Sequence, residues 1–302
     1  MQRTVSFIAV MAGAALFAGT ALAADKIQVG DGKVFPESFG AAADGTVYAG
    51  SITMGVIFKA APGATKAEKF VDAPTDGPTA VLGVYVDKGG MIWACYSDLA
   101  LFAGQPGKPS VLRSYDPTGA MKGTYTLPEG SFCNDVTSTA DGTAYVADTF
   151  GARILRIAPG STTMEEWLVD KANLVGIDGI TLSPDGKLYV NNVMSGGLYR
   201  VDIGADGKAG AVTKLTTSAP LKGPDGMRFG SDGVLYLAEN GAGQADAITI
   251  DGDKATVKPV ITGLDAPTAV DKPGDQLWVL EAKIDKMQDA NENGPFWIVP
   301  AP

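Results

Sequence analysis

The sequence predicts an all-β chain built by repetition, on three observations. Segments of one form recur six times, one aromatic position recurs within them at near-even spacing, and no stretch between them carries the 3.6-residue apolar period of a helix. The segments are "SFGAAADGTVYAGS", "LGVYVDKGGMIWACYS", "DVTSTADGTAYVADT", "GITLSPDGKLYVNN", "GMRFGSDGVLYLAEN" and "TAVDKPGDQLWVLEA". Each joins two short runs of alternating apolar residues through a turn that contains Gly, in most copies beside Asp, which is the sequence form of a β-hairpin.

The aromatic in each second run sets the period. Tyr48, Trp93, Tyr145, Tyr189, Tyr236 and Trp278 are separated by 45, 52, 44, 47 and 42 residues. A period near 45 with strands throughout is that of a β-propeller blade, whereas a leucine-rich solenoid repeats at roughly 20 to 29 residues. The reading is a six-bladed β-propeller with about four antiparallel strands per blade. Further strand-like pieces, such as "RILRIAP" and "GLYRVDIG", follow the hairpins. After Trp278 the chain has room for "FWIVP" as a third strand but hardly for a fourth. The spare strand "KIQVG", Lys26 to Gly30, is therefore expected to complete the last blade and close the ring, leaving no exposed edge.

The first 23 residues read as a cleavable signal peptide, with Arg3, an apolar run from Val5 to Ala18 and the small-x-small site Ala21-Leu22-Ala23. Residues 24–302 are read as the propeller, with a periplasmic or secreted location. Ala24 stands where a lipoprotein would carry Cys. No second segment approaches the ~18 apolar residues of a membrane span, so membrane insertion is not expected. The formal charge is −10, from 24 basic and 34 acidic residues, which argues against nucleic acid as a partner because that affinity comes from Lys and Arg on phosphates. A monomer or weak oligomer is expected. The two cysteines, Cys95 and Cys133, fall toward the same face of neighbouring blades, where either a disulfide or two buried thiols is compatible with the spacing. The chain contains no histidine, so Ser-His-Asp, Cys-His and imidazole-ligated zinc chemistry are excluded.

Eleven residues before each repeated aromatic lies the entry of the innermost strand. The occupants are Glu37, Leu82, Asn134, Asp178, Asp225 and Pro267. In a propeller these entries converge on one mouth of the central channel, so Glu37, Asn134, Asp178 and Asp225 form an oxygen-rich ring. Asp and Asn also precede strands as independent turn formers, and that alternative stays open. Three crowded carboxylates raise one another's pKa unless a positive charge sits among them. An all-oxygen set without imidazole or thiolate points to a hard divalent cation, with Ca²⁺ preferred and Zn²⁺, Mg²⁺ or Mn²⁺ as alternatives. Three residues past each aromatic the chain regains the same face at Ser51, Tyr96, Asp148, Asn192, Glu239 and Glu281, of which Asp148, Asn192 and Glu239 are taken as pocket residues. The polar stretch "KIDKMQDANEN", Lys283 to Asn293, is read as an exposed loop, with a cover over the mouth as the alternative.

From "FPESFGAAADGTVYAGS" through "GPDGMRFGSDGVLYLAEN" the chain resembles the senescence marker protein (regucalcin) and gluconolactonase-like family of six-bladed propellers. That resemblance implies a divalent metal held by Glu37, Asp178 and Asp225, with Asn134 touching substrate or a metal-bound water. It also implies a hydrolase that opens a lactone, or cleaves an ester, with the metal polarising the carbonyl and Asp225 as general base or direct nucleophile. Two positions depart from the family. Asp178 replaces the usual Asn, adding negative charge. Phe132 stands two residues before Asn134, where the sugar-lactone enzymes carry Arg, which points to a more apolar lactone or ester. The competing expectations are a strictosidine synthase-like or lyase-type enzyme on the same scaffold, or a non-catalytic Ca²⁺-binding propeller that recruits a ligand or protein.

Overall fold

The computed structural model describes residues 25–302; the predicted signal peptide lies outside them. Regular structure in the described residues is strand, apart from short 3-10 turns at Leu99–Ala103, Asn240–Ala242 and Ile284–Lys286. The repeated segments are antiparallel hairpins. They pair Pro36–Ala41 with Val47–Ser51, Ala80–Val86 with Ile92–Ser97, and Cys133–Ser138 with Ala144–Asp148. The remaining three pair Ile177–Leu182 with Leu188–Asn192, Pro224–Phe229 with Leu235–Glu239, and Pro267–Asp271 with Leu277–Glu281. At the turns, Asp44, Asp141 and Asp232 each accept a hydrogen bond from the backbone N–H two residues on, at 2.9, 3.0 and 3.1 Å. The glycine between donor and acceptor takes a positive φ that a Cβ would disfavour, as at Gly142 with φ 90°.

Third and fourth strands extend the hairpins outward. In the third unit these are Arg153–Ile157 and Glu165–Val169. Burial falls along that order: Ala144–Asp148 is buried throughout, while Glu165–Val169 is half solvated. The first strand of each hairpin lies against that of the next, and Pro267–Asp271 lies against Pro36–Ala41. Asp271 reinforces this last contact by accepting the N–H of Ala41 at 2.8 Å.

The aromatic repeat has a packing cause. Tyr48, Tyr145, Tyr189 and Tyr236 are buried among apolar residues of the following hairpin, such as Val81 and Val84 for Tyr48 and Ile177 and Ile180 for Tyr145. One large ring per repeat fills the wedge between twisted sheets.

The strand Ile27–Val29 pairs antiparallel with Trp297–Ala301, in the register Ile27 opposite Ile298. Its other edge pairs in parallel with Lys66–Val71 of the first unit, with Gln28 opposite Lys66. The result is one eight-stranded sheet that contains both the first and the last hairpin.

Cys95 and Cys133 form a disulfide, Cα to Cα 5.2 Å, joining the second hairpin to the inner strand of the third. The bridge closes a separation of 38 residues, so its loss is expected to cost about 2–4 kcal/mol. In melting curves, Cys95→Ala/Cys133→Ala should fall by roughly 4–8 °C and lose all sensitivity to reductant. An unchanged melting temperature would show that the inter-sheet packing alone holds these hairpins together.

Candidate functional site

The inner strands are irregular at their entries. Pairing slips between Pro36 and Phe39, Cys133 and Val136, Ile177 and Ile180, and Pro224 and Met227. The residues inside those slips include Glu37, Asn134, Asp178 and Asp225. A bulge frees a residue from the ladder and re-aims its side chain, here toward its counterparts on the neighbouring inner strands. Close approach of neighbouring strands accompanies it: a Cβ on Gly179 would lie 2.6 Å from the carbonyl oxygen of Asp225, and one on Gly226 2.7 Å from that of Thr268. Only glycine fits at either place.

The sixth hairpin corrects the count made from the sequence. Tyr236 pairs with Arg228, eight residues earlier, but Trp278 pairs with Asp271, seven earlier, because the last turn is one residue tighter. The equivalent position is therefore Thr268, not Pro267. Its hydroxyl is buried without a hydrogen-bond partner.

Glu37, Asp178 and Asp225 each bring a carboxylate oxygen within 4.8 Å of the others, and all three residues are buried. Asn134 donates from Nδ2 to Asp178 Oδ2 at 2.9 Å. Asp225 Oδ1 accepts the N–H of Gly226 at 2.9 Å. The Oε2 of Glu37 is buried and has no partner. Among the described residues no lysine or arginine bonds to the three carboxylates. Burial, then repulsion from Asp178, holds the carboxyls of Glu37 and Asp225 well above the usual range. Burial, then Asp135, pushes Asp178 up to about 7. An orphaned buried oxygen beside two crowded carboxylates is a donor set that fits a hard divalent cation.

Next to this cluster lies an ion pair that the hairpin pattern did not reveal. Arg228 donates to both oxygens of Asp135, at 2.7 and 2.8 Å, with both residues buried. Asp135 also accepts the N–H groups of Val136 and Ile180, and the guanidinium lies 5.4 Å from the ring centre of Tyr85. The pair thus ties the inner strands of the second to fifth hairpins. A charged residue amid the apolar run "GMRFG" was the one available signal. Asn191 was also missed; fully buried, it donates to the backbone carbonyl of Asp225 and accepts the N–H of Gly179 at 3.2 Å.

The residues expected to line the pocket are engaged elsewhere. Asp148 is fully buried, accepting the N–H groups of Phe132 and Gly151 and pairing with Arg153 at 2.7 Å. Asn192 bonds the carbonyls of Asn173 and Val175 and the N–H groups of Met194 and Ser195. Glu239 takes the N–H of Lys222 and the amide of Gln244, beside Asp246, whose carboxyl is pushed up to about 8 by burial and by Glu239. An oxygen at a strand end bonds the loop amides it meets first. Phe132 is also fully buried, with Phe102 and Phe150 packed on it at centroid distances of 4.5 and 5.0 Å. The polar stretch after Glu281 is not a free loop: its Ile284 and Met287 pack on apolar clusters from both the first and the second to third hairpins.

No family model and no curated protein matches the chain. Solved structures do. The sheets define a β-propeller, and its fold is gluconolactonase-like. A gluconolactonase from Xanthomonas campestris superposes with a TM-score of 0.65 at 16% identity, covering 90% of this chain and 88% of that one. An inactive virginiamycin B lyase from Staphylococcus aureus, with a histidine replaced by alanine and quinupristin bound, gives 0.63 at 20%, covering 90% and 87%. A PQQ-bound aldose sugar dehydrogenase from Streptomyces coelicolor gives 0.62 at 16%, covering 92% and 96%. At these identities the shared property is the fold.

Proposed function

We propose that the protein is a metal-dependent hydrolase that opens a lactone or cleaves an ester, working as an exported, periplasmic six-bladed propeller closed by its N-terminal strand. The carrying observation is the convergence of three buried carboxylates, one with an unpartnered oxygen, and a carboxamide at one end of the channel. Glu37, Asp178 and Asp225 would hold the ion, and Asn134 fixes the Asp178 carboxylate through its amide. The three oxygens lie within 4.8 Å of one another, and an all-oxygen donor set without imidazole or thiolate suits a hard ion such as Ca²⁺, which accepts an irregular shell more readily than Mg²⁺ does.

When bound, the ion supplies the electrophile that draws charge onto the carbonyl oxygen of the substrate. Asp225 takes the proton from the attacking water and returns it to the departing alkoxide, so that a lactone yields a hydroxy acid. The lyase alternative is weaker, because one lyase of this fold is inactive with a histidine replaced and this chain has no histidine.

The test is metal analysis of the purified protein with melting curves in Ca²⁺ and in chelator, alongside a panel of lactones and esters. Calcium at about 100 times its Kd should add about 2.7 kcal/mol, roughly 5 °C, and Glu37→Gln should lose most of that shift. No bound ion, no shift and no turnover would reduce the four residues to turn formers.

A further inference from the structure

Seven large apolar side chains are exposed among the described residues, and they are unevenly placed. Met54, Phe102, Phe150, Val175 and Met194 all lie in connections at the end where the inner strands begin, the end of the carboxylate cluster. The other two, Met121 and Val169, lie on outermost strands, and the tight turns at the opposite end carry none. A large apolar group left in water over a polar alternative marks a binding surface when such groups cluster.

Two parts of this set adjoin the strand entries that carry donor residues. Phe102 and Phe150 touch each other at 5.2 Å and both cover Phe132, two residues from Asn134. Met194 lies over Gly176, where a Cβ would meet its sulfur at 2.8 Å, two residues from Asp178. Phe102 is 60% exposed, Phe150 42% and Met194 76%. Arg153, the cation nearest to the aromatic rings in sequence, is already bound to Asp148 and Glu166. A polyhydroxylated substrate would find rings and a thioether here in place of hydrogen-bond partners.

We infer that this rim holds an alkyl or aryl substituent of the substrate, so that the substrate class is an apolar lactone or ester, with Phe102 and Phe150 as its specificity-determining residues. The inference rests on the hydrolysis proposed above.

The test is kcat/KM over γ-lactones whose C4 substituent lengthens from methyl to hexyl, with glucono-δ-lactone alongside. Burial of each methylene should raise kcat/KM by about four-fold until the rim is filled. In Phe102→Ser/Phe150→Ser the hexyl-to-methyl ratio should collapse toward one, while in Met121→Ser, equally exposed but on an outer strand, it should stay at the wild-type value. All three positions are exposed, so the variants keep the fold. A flat wild-type series with turnover intact overturns the rim and leaves the hydrolase standing. If nothing is turned over, calorimetric binding of the matching alkyl γ-lactams decides: chain-length dependence lost in the double variant upholds the rim although hydrolysis has failed, and a flat dependence overturns it. Rim-dependent binding to phosphatidylglycerol vesicles without any chain-length effect would reassign the surface to a membrane and also overturn the inference.

Discussion

Asp225→Asn is expected to lower kcat/KM on any lactone or ester that the wild type hydrolyses by about 10²–10⁴-fold, while the melting transition is retained. The substitution keeps shape and the acceptor that receives the Gly226 N–H at 2.9 Å, and removes only the group that can take a proton from water. A metal assay belongs with it, since the amide oxygen remains a possible donor but a weaker one. Without metal the variant should melt above the wild type, because one of three mutually repelling buried carboxylates has gone. Undiminished turnover would remove Asp225 from the chemistry and leave it as an ion ligand or a strand-entry residue.

The second large effect falls on the fold. Arg228→Ala should cost about 3–5 kcal/mol, a fall of roughly 5–10 °C, because it leaves Asp135 buried without its counter-charge. It also removes the positive charge that offsets the burial of Asp271, whose carboxyl is already raised. Asp135→Asn/Arg228→Met should recover much of the loss, since the two opposite charges are removed together while the amide oxygen can still accept a backbone N–H that Asp135 accepts. A double-mutant cycle on chemical denaturation measures that coupling. Additive costs would show that the two side chains matter for volume alone.

The first five hairpins were legible because three independent requirements coincide in them: a glycine with positive φ, an aspartate in the turn, and an aromatic to fill the wedge before the next sheet. Counting back from that aromatic found Glu37, Asn134, Asp178 and Asp225 because five of the six hairpins hold it opposite the residue eight earlier. The sixth turn broke the count and hid Thr268. Sequence could not say which oxygen faces the channel and which caps a loop, as Asp148, Asn192 and Glu239 show, since both uses call for the same residue types at a strand end. Arg228 and Asp135 stayed hidden for a related reason. They lie 93 residues apart, and nothing local announces a partner at that distance.

The strand Ile27–Val29 has a kinetic consequence. Its partners lie at Lys66–Val71 and Trp297–Ala301, so the first strand of the described residues is completed by their last. Closing so long a loop is entropically late, and folding dominated by such contacts is slow. A chain emerging from its N-terminus can order the middle hairpins as they appear, but its leading strand waits with one edge unpaired until the final strand arrives. The period of aggregation risk therefore lasts as long as synthesis of the strands between, and the charges that flank that strand, Asp25 and Lys26 before it and Asp31 after it, are placed to guard it.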